Sequence, residues 1–140
     1  MKVWAYAGTI GRLEGLDERQ QQTLEFAAIV HDIACPNLRK EYGNAPGNLQ
    51  EKFGPPLVRN FYKESGMDDE MLSRICYLVG HHHTVSNVDG MDYQILLEAD
   101  FLVNAGEQEK YQKSVDDFRE KVFKTKTGLD LLEKMFPTNN

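Results

Sequence analysis

The sequence predicts an all-α domain, on three observations. Apolar residues recur at helical spacing in one segment after another. Cap and stop residues punctuate those segments. No stretch alternates apolar and polar side chains as a half-buried strand does. A chain of 140 residues suits a single domain, 1–140, large enough to bury one core without disulfides. The core is expected over about residues 3–105, with further helices over about 110–136.

The first helix is expected over Val3 to Leu13, with Val3, Trp4, Ala7, Ile10 and Leu13 on one face and Gly15 as a stop. Asp17 then caps a second helix, with Gln20 three residues on as a weak capping box. Leu24, Ala27, Ala28, Val30 and Ile33 form its stripe, and Pro36 ends it. Asn37 to Gly54 holds four turn-forming Gly and Pro residues and no clear period, which predicts a long loop of the kind that is often functional. Pro55-Pro56 suits the first turn of the next helix, which Gly66 closes. Asp68-Asp69-Glu70 opens another, as an acidic first turn suits the helix dipole. Met71, Leu72, Ile75, Leu78 and Val79 are its apolar face, and Gly80 and three histidines come at its end. Asn87 to Gly90 reads as a turn. Tyr93 to Ala105 follows as a helix with Ile95, Leu96, Ala99, Leu102 and Val103 on one face. Val115 to Phe123 and Leu129 to Phe136 are two short C-terminal helices, packed on the core or on a second copy in a homodimer.

Composition excludes several functional classes. The 41% hydrophobic and 27% charged fractions describe a soluble globular protein. No run approaches the roughly 20 apolar residues of a membrane helix, so no membrane partner is expected. The opening residues lack the pattern of a signal peptide, which makes cytoplasmic the expected location. Cys35 and Cys76 are too few and too far apart for a disulfide framework. A net charge of −6 argues against binding a nucleic-acid polymer. It leaves room for a small phosphorylated substrate, because a bound metal can dominate the local field.

The residues suited to chemistry sit inside or at the ends of apolar helices. His31-Asp32 ends one hydrophobic segment, His81-His82-His83 ends another, and Asp100 lies between Leu96 and Val103 in a third. Ionised groups beside a core are costly unless they are paired or hold a metal. Asp100 also reads as a surface or cap position, with Glu98 beside it solvated. His31 also reads as a core-edge imidazole bonded to its neighbour. The triplet also reads as a surface run, although tags lie at termini and this lies after a core helix. Three imidazoles suit zinc, iron or similar ions, but not all three can point to one place. Arg39 and Lys40 can bring positive charge to a phosphate, with solvated surface as the favoured reading for both.

His31-Asp32 at a helix end, a His-rich centre and the later Ala99-Asp100 resemble the HD-domain metal-dependent phosphohydrolases. Lys2-Val3-Trp4-Ala5-Tyr6-Ala7, Gly54-Pro55-Pro56, Val79-Gly80-His81-His82-His83-Thr84 and Glu98-Ala99-Asp100-Phe101-Leu102 look like a bacterial HD-hydrolase subgroup. The likeness runs from Val3 to about Asn104. It implies an HD-domain-like helical bundle with a divalent metal, whether Fe, Mn, Zn, Ni or Mg, in a central cleft. His31 and Asp32 match the middle pair of the family's ligands and Asp100 the last. His81 and His82 match the extra ligands of two-metal members, with Asp32 bridging and His83 next in line.

The implied activity is hydrolysis of a phosphomonoester or phosphodiester, a nucleotide among them. Asp32 would orient the nucleophile, and His82 or His83 would steady the phosphoryl oxygens or protonate the leaving group. Two departures stand out. The family's first histidine has no counterpart, its place falling a little before Met1, and Phe53 stands where some two-metal members carry a further histidine. The competing expectation is a non-catalytic HD-like domain that binds a metal or nucleotide as a sensor or interaction module.

Overall fold

The structure, a computed structural model, describes residues 2–138. Nine helices and no strand occur among the described residues. No helix there is long and apolar enough to cross a membrane.

Helix α1 (Lys2–Leu13) buries Val3, Ala7 and Ile10, one face at spacings of four and three. Trp4 and Leu13 stay exposed. Gly11 lets α1 lie close on α2 (Glu18–Val30), since a Cβ there would stand 2.4 Å from Gln21 Oε1. The capping box forms as expected: Asp17 Oδ1 accepts from Gln20 N–H at 2.8 Å, and Gln20 Oε1 accepts from Asp17 N–H at 3.2 Å. Such a cap contributes about 1 kcal/mol.

The expected loop over 37–54 is helical instead. Helix α2 stops at Val30, a tight turn carries His31 to Ala34, and α3 spans Cys35–Tyr42. Pro36 therefore opens a helix rather than ending one, because its missing N–H falls among donors that have no helical partner anyway. Gly43, at φ +81°, closes α3 in the left-handed region. Helix α4 (Gly47–Tyr62) then begins eight residues before Pro55, and both prolines lie inside it. They free the carbonyls of Glu51 and Lys52, residues that are half-buried and exposed, where water can bond them.

Helix α4 crosses α5 (Asp69–Val79) at Gly54, where a Cβ would meet Val79 Cγ1 at 2.8 Å. Asp68 caps α5 by accepting from Met71 N–H at 2.8 Å. Helix α6 (Met91–Glu107) is the axis of the molecule, buried without interruption from Asp92 to Leu102. A helix covered on all sides belongs in the core, and α1, α2, α5 and α9 pack on it.

The C-terminal helices α7 (Glu109–Gln112), α8 (Val115–Lys121) and α9 (Lys126–Met135) fold back on the same core. Phe118 stacks on Phe101 with centroids 4.0 Å apart, and Leu132 is wholly buried. Glu98 is also wholly buried rather than solvated. Its carboxylate accepts from Gln94 Nε2, Lys124 N–H, Thr125 N–H and Thr125 Oγ1, at 2.6–3.1 Å. From the other side, Glu14 Oε2 accepts from Thr127 N–H and Oγ1 at 3.1 and 2.7 Å. Two carboxylates thus hold the first turn of α9, where the helix dipole favours negative charge.

Candidate metal centre

The ends of α2 and α5 meet the middle of α6 on one side of the bundle. The α5 end is placed by the tight Gly54–Val79 crossing just described. Gly47 does the same for His83, since a Cβ there would lie 2.9 Å from His83 Cγ.

His31 terminates α2. Its Nδ1–H donates to Ala28 O at 2.7 Å, which turns Nε2 toward Asp100 Oδ1 at 3.3 Å. Burial works against a charged His31 ring, but the bond to Asp100 and the charges of Asp100 and Asp32 outweigh it, so its pKa rises. Asp100 is nearly buried; burial works against its charge, and His31 outweighs that, so its pKa falls. Its second oxygen accepts from Asn104 Nδ2 at 3.3 Å.

His82 is 2% exposed and lies edge-on to His31, with ring centroids 5.5 Å apart. Its Nδ1–H donates to Val79 O at 2.7 Å. Burial first, then the neighbouring His83, pushes its pKa down to about 4, so the ring is neutral at pH 7. A neutral ring with Nδ1–H committed carries a bare lone pair at Nε2. That lone pair faces Gln50 Oε1, another acceptor, at 3.3 Å. The amide of Gln50 is held in this orientation by its own Nε2–H bond to Ala45 O at 2.6 Å. His83 Nε2 reaches the same Gln50 oxygen at 2.9 Å, and His83 N–H donates to Glu51 Oε2.

The remaining expected ligands stand differently. Asp32 is exposed and lines the same cleft as His31 and Asp100, with no side-chain bond among the described residues. His81 does not join the cluster. Its Nδ1–H donates to Tyr77 O at 2.7 Å and its ring stacks on Tyr77 with centroids 4.0 Å apart. Adjacent residues at a helix end diverge in direction, and the Tyr77 ring captures this one. Phe53 is part of an apolar groove between α3 and α4, apart from the cluster.

The donor chemistry fits a divalent ion. Metal-bound imidazoles commonly hold their second N–H on a main-chain carbonyl, which fixes tautomer and ring direction. His31 and His82 both do so, with Nε2 turned inward. The distances differ from those of a filled centre. His31 and Asp100 contact each other directly, and among the described residues no three His, Cys, Asp or Glu side chains are grouped to hold an ion.

No protein-family model, curated protein or solved structure matches this chain. Its chemistry therefore rests on the cluster itself.

The cluster opens into a cleft of about 530 Å³. Gln50, Asn104, Gln108, Lys110 and Tyr111 line it, and none of them stood out in the sequence. Asn104 follows Asp100 by one helical turn, a spacing that places it on the same face. Gln50 lay in the segment read as loop, and a lone amide carries no pattern. Of the two basic residues considered for phosphate, Arg39 lines the cleft, whereas Lys40 does not.

Proposed function

We propose that this chain is a metal-dependent phosphohydrolase of the HD type, acting on a phosphomonoester or phosphodiester. The observation that carries the reading is the pair of inward-facing Nε2 atoms on His31 and His82 beside the buried Asp100. Their Nδ1–H groups are both tied to main-chain carbonyls. His31, Asp32 and Asp100 would hold the ion, with His82 as the adjacent donor. Bound there, a divalent ion would acidify water and polarise the phosphoryl oxygen.

The chain's own groups supply the rest. Asp32, exposed on the cleft wall, would orient the attacking water. His83, also exposed on that wall and bonded to Gln50, passes a proton to the leaving oxygen. Asn104 holds Asp100 in place through its amide. His31, Asp32, His83, Asp100 and Asn104 all line this one cleft, so a single small substrate can meet them together.

A second reading has its own support. The direct His31–Asp100 contact favours a domain that binds a metal or nucleotide as a sensor, without turnover. One experiment separates the two. Protein from its native source is analysed for metal. It is then assayed on p-nitrophenyl phosphate and bis-p-nitrophenyl phosphate with Mn, Fe, Zn, Ni and Mg. Bound metal with turnover supports the hydrolase, and bound metal without turnover supports the sensor. No bound metal and no gain on adding any ion would overturn the hydrolase and the metal-sensing form of the second reading.

A further inference from the structure

Five of the six arginines of this chain are paired. Arg12, Arg19, Arg59, Arg74 and Arg119 each meet a carboxylate. In a chain with 22 acidic residues and a net charge of −6, such pairing is the expected state. Arg39 is the exception: it has no carboxylate partner among the described residues. It is also the arginine that lines the cleft. Lys110, from α7, lines the same cleft and likewise lacks a carboxylate partner among the described residues. Its Nζ lies 5.2 Å from the centroid of the Tyr111 ring. The two cations come from segments far apart in sequence and are brought together only by the fold.

Charge at the cleft says what they are for. The acidic groups lining it are Asp32 and Asp100. A divalent ion held by those carboxylates leaves the floor near neutrality, so Arg39 and Lys110 are surplus positive charge. Two surplus charges match a phosphate monoester, which carries close to two negative charges at pH 7, better than a diester, which carries one. Guanidinium supplies a planar fork for phosphoryl oxygens, and the ammonium acts as a point charge.

We propose that Arg39 and Lys110 form a two-cation clamp that selects a dianionic phosphate monoester over a diester. This rests on the reading of the cluster as a phosphohydrolase centre. It makes the segment after α6 part of the specificity apparatus rather than a structural appendage. Both residues are exposed, so neutral replacements leave the core intact.

The test measures binding of inorganic phosphate and of dimethyl phosphate at pH 8 by calorimetry, on metal-loaded and metal-free protein. The parent is expected to bind phosphate about tenfold more tightly than dimethyl phosphate. Arg39→Gln and Lys110→Gln should each weaken phosphate binding about tenfold, with dimethyl phosphate much less affected and metal content unchanged. Lys40→Gln, next to Arg39 but off the cleft, should bind phosphate as the parent does. Phosphate affinity equal to the parent's in both variants would overturn the clamp, as would an equal loss in Lys40→Gln. Metal content and turnover report separately on the hydrolase reading: metal-loaded, active protein whose phosphate affinity is unchanged in both variants overturns the clamp alone, whereas protein that takes up no metal overturns that reading and, with the carboxylates then cancelling Arg39 and Lys110, the clamp's charge argument too.

Discussion

The imidazoles at the ends of α2 and α5 are useful because of what their far nitrogens do. With Nδ1–H on Ala28 O and Val79 O, neither ring can swing without leaving a main-chain carbonyl short of its donor. The expected cost of removing a donor follows. His31→Ala and Asp100→Ala should each lower metal affinity about 10–100-fold or more, read as metal per chain after dialysis, with the helical circular dichroism unchanged. Parent-like metal content in both variants would rule out the assignment. His83→Ala should separate turnover from metal. Loss of a proton donor costs about 100-fold or more in rate, while metal content stays at the parent level. His31 and Asp100 were legible because charged groups in apolar helical sequence are costly without a partner, and each is the other's; Asp32, exposed and without a side-chain bond among the described residues, stood out only as the neighbour of His31. His81 was misplaced because sequence shows which residues adjoin, and the competing Tyr77 ring becomes visible only once α5 has ended.

Helix boundaries decide where those residues point, and the boundaries around Pro36 and Pro55-Pro56 were the ones misread. A proline signals a start as readily as a stop, and only the bonding of its neighbours tells which. In α4 the prolines are tolerated because the carbonyls they free are reachable by water, and Gly54 before them lets two helix backbones approach. Gly54→Ala tests that approach. The gain in helix propensity is up to about 1 kcal/mol. The clash with the buried Val79 is worth about 1–3 kcal/mol in the opposite direction. Net destabilisation is therefore expected, read as a lower urea midpoint at unchanged slope. A higher midpoint would show that Val79 yields without cost. Glu98→Ala should be far more severe. It strands several buried donors at the start of α9, each worth about 1–3 kcal/mol when left unpaired, so the variant should unfold at much lower urea. The motif containing Glu98 was legible in the sequence. Its purpose was not, because its partners Lys124 and Thr125 lie beyond any local pattern.

Across the molecule, the all-α class and a common helical core were legible from periodicity alone, since α1, α2, α4 and α5 each carry a buried face that repeats at helical spacing. What was not legible is how distant segments are tied to each other. One such tie spans α2 and α5: Arg19 donates to both oxygens of Asp68, at 3.0 and 2.7 Å. The Arg19 guanidinium first, and Met71 N–H second, hold the Asp68 carboxyl down at about 2. A carboxylate depressed in the folded state adds stability above its ordinary value, and that stability is lost as pH falls through the folded value. Asp68→Asn keeps the helix cap and removes the charge. The difference in thermal midpoint between parent and variant should therefore be largest at pH 5–7 and shrink steeply as pH falls through about 2. A difference as large at pH 2 as at pH 6 would assign the effect to the cap instead.

The grip of Glu98 and Glu14 on the first turn of α9 also bears on how the protein is made. Translation delivers Asp100 and every histidine well before Thr125 and Thr127 emerge. Until they do, the central helix carries a carboxylate with no main-chain donors to receive it, and cannot be buried at its final depth. The order of synthesis thus runs against the order of consolidation. A nascent chain stalled or clipped short of Thr125 would hold all the proposed ligands on a helix that has no stable seat, and would be exposed to proteolysis. The last helix thus completes the seat of the central helix that carries Asp100.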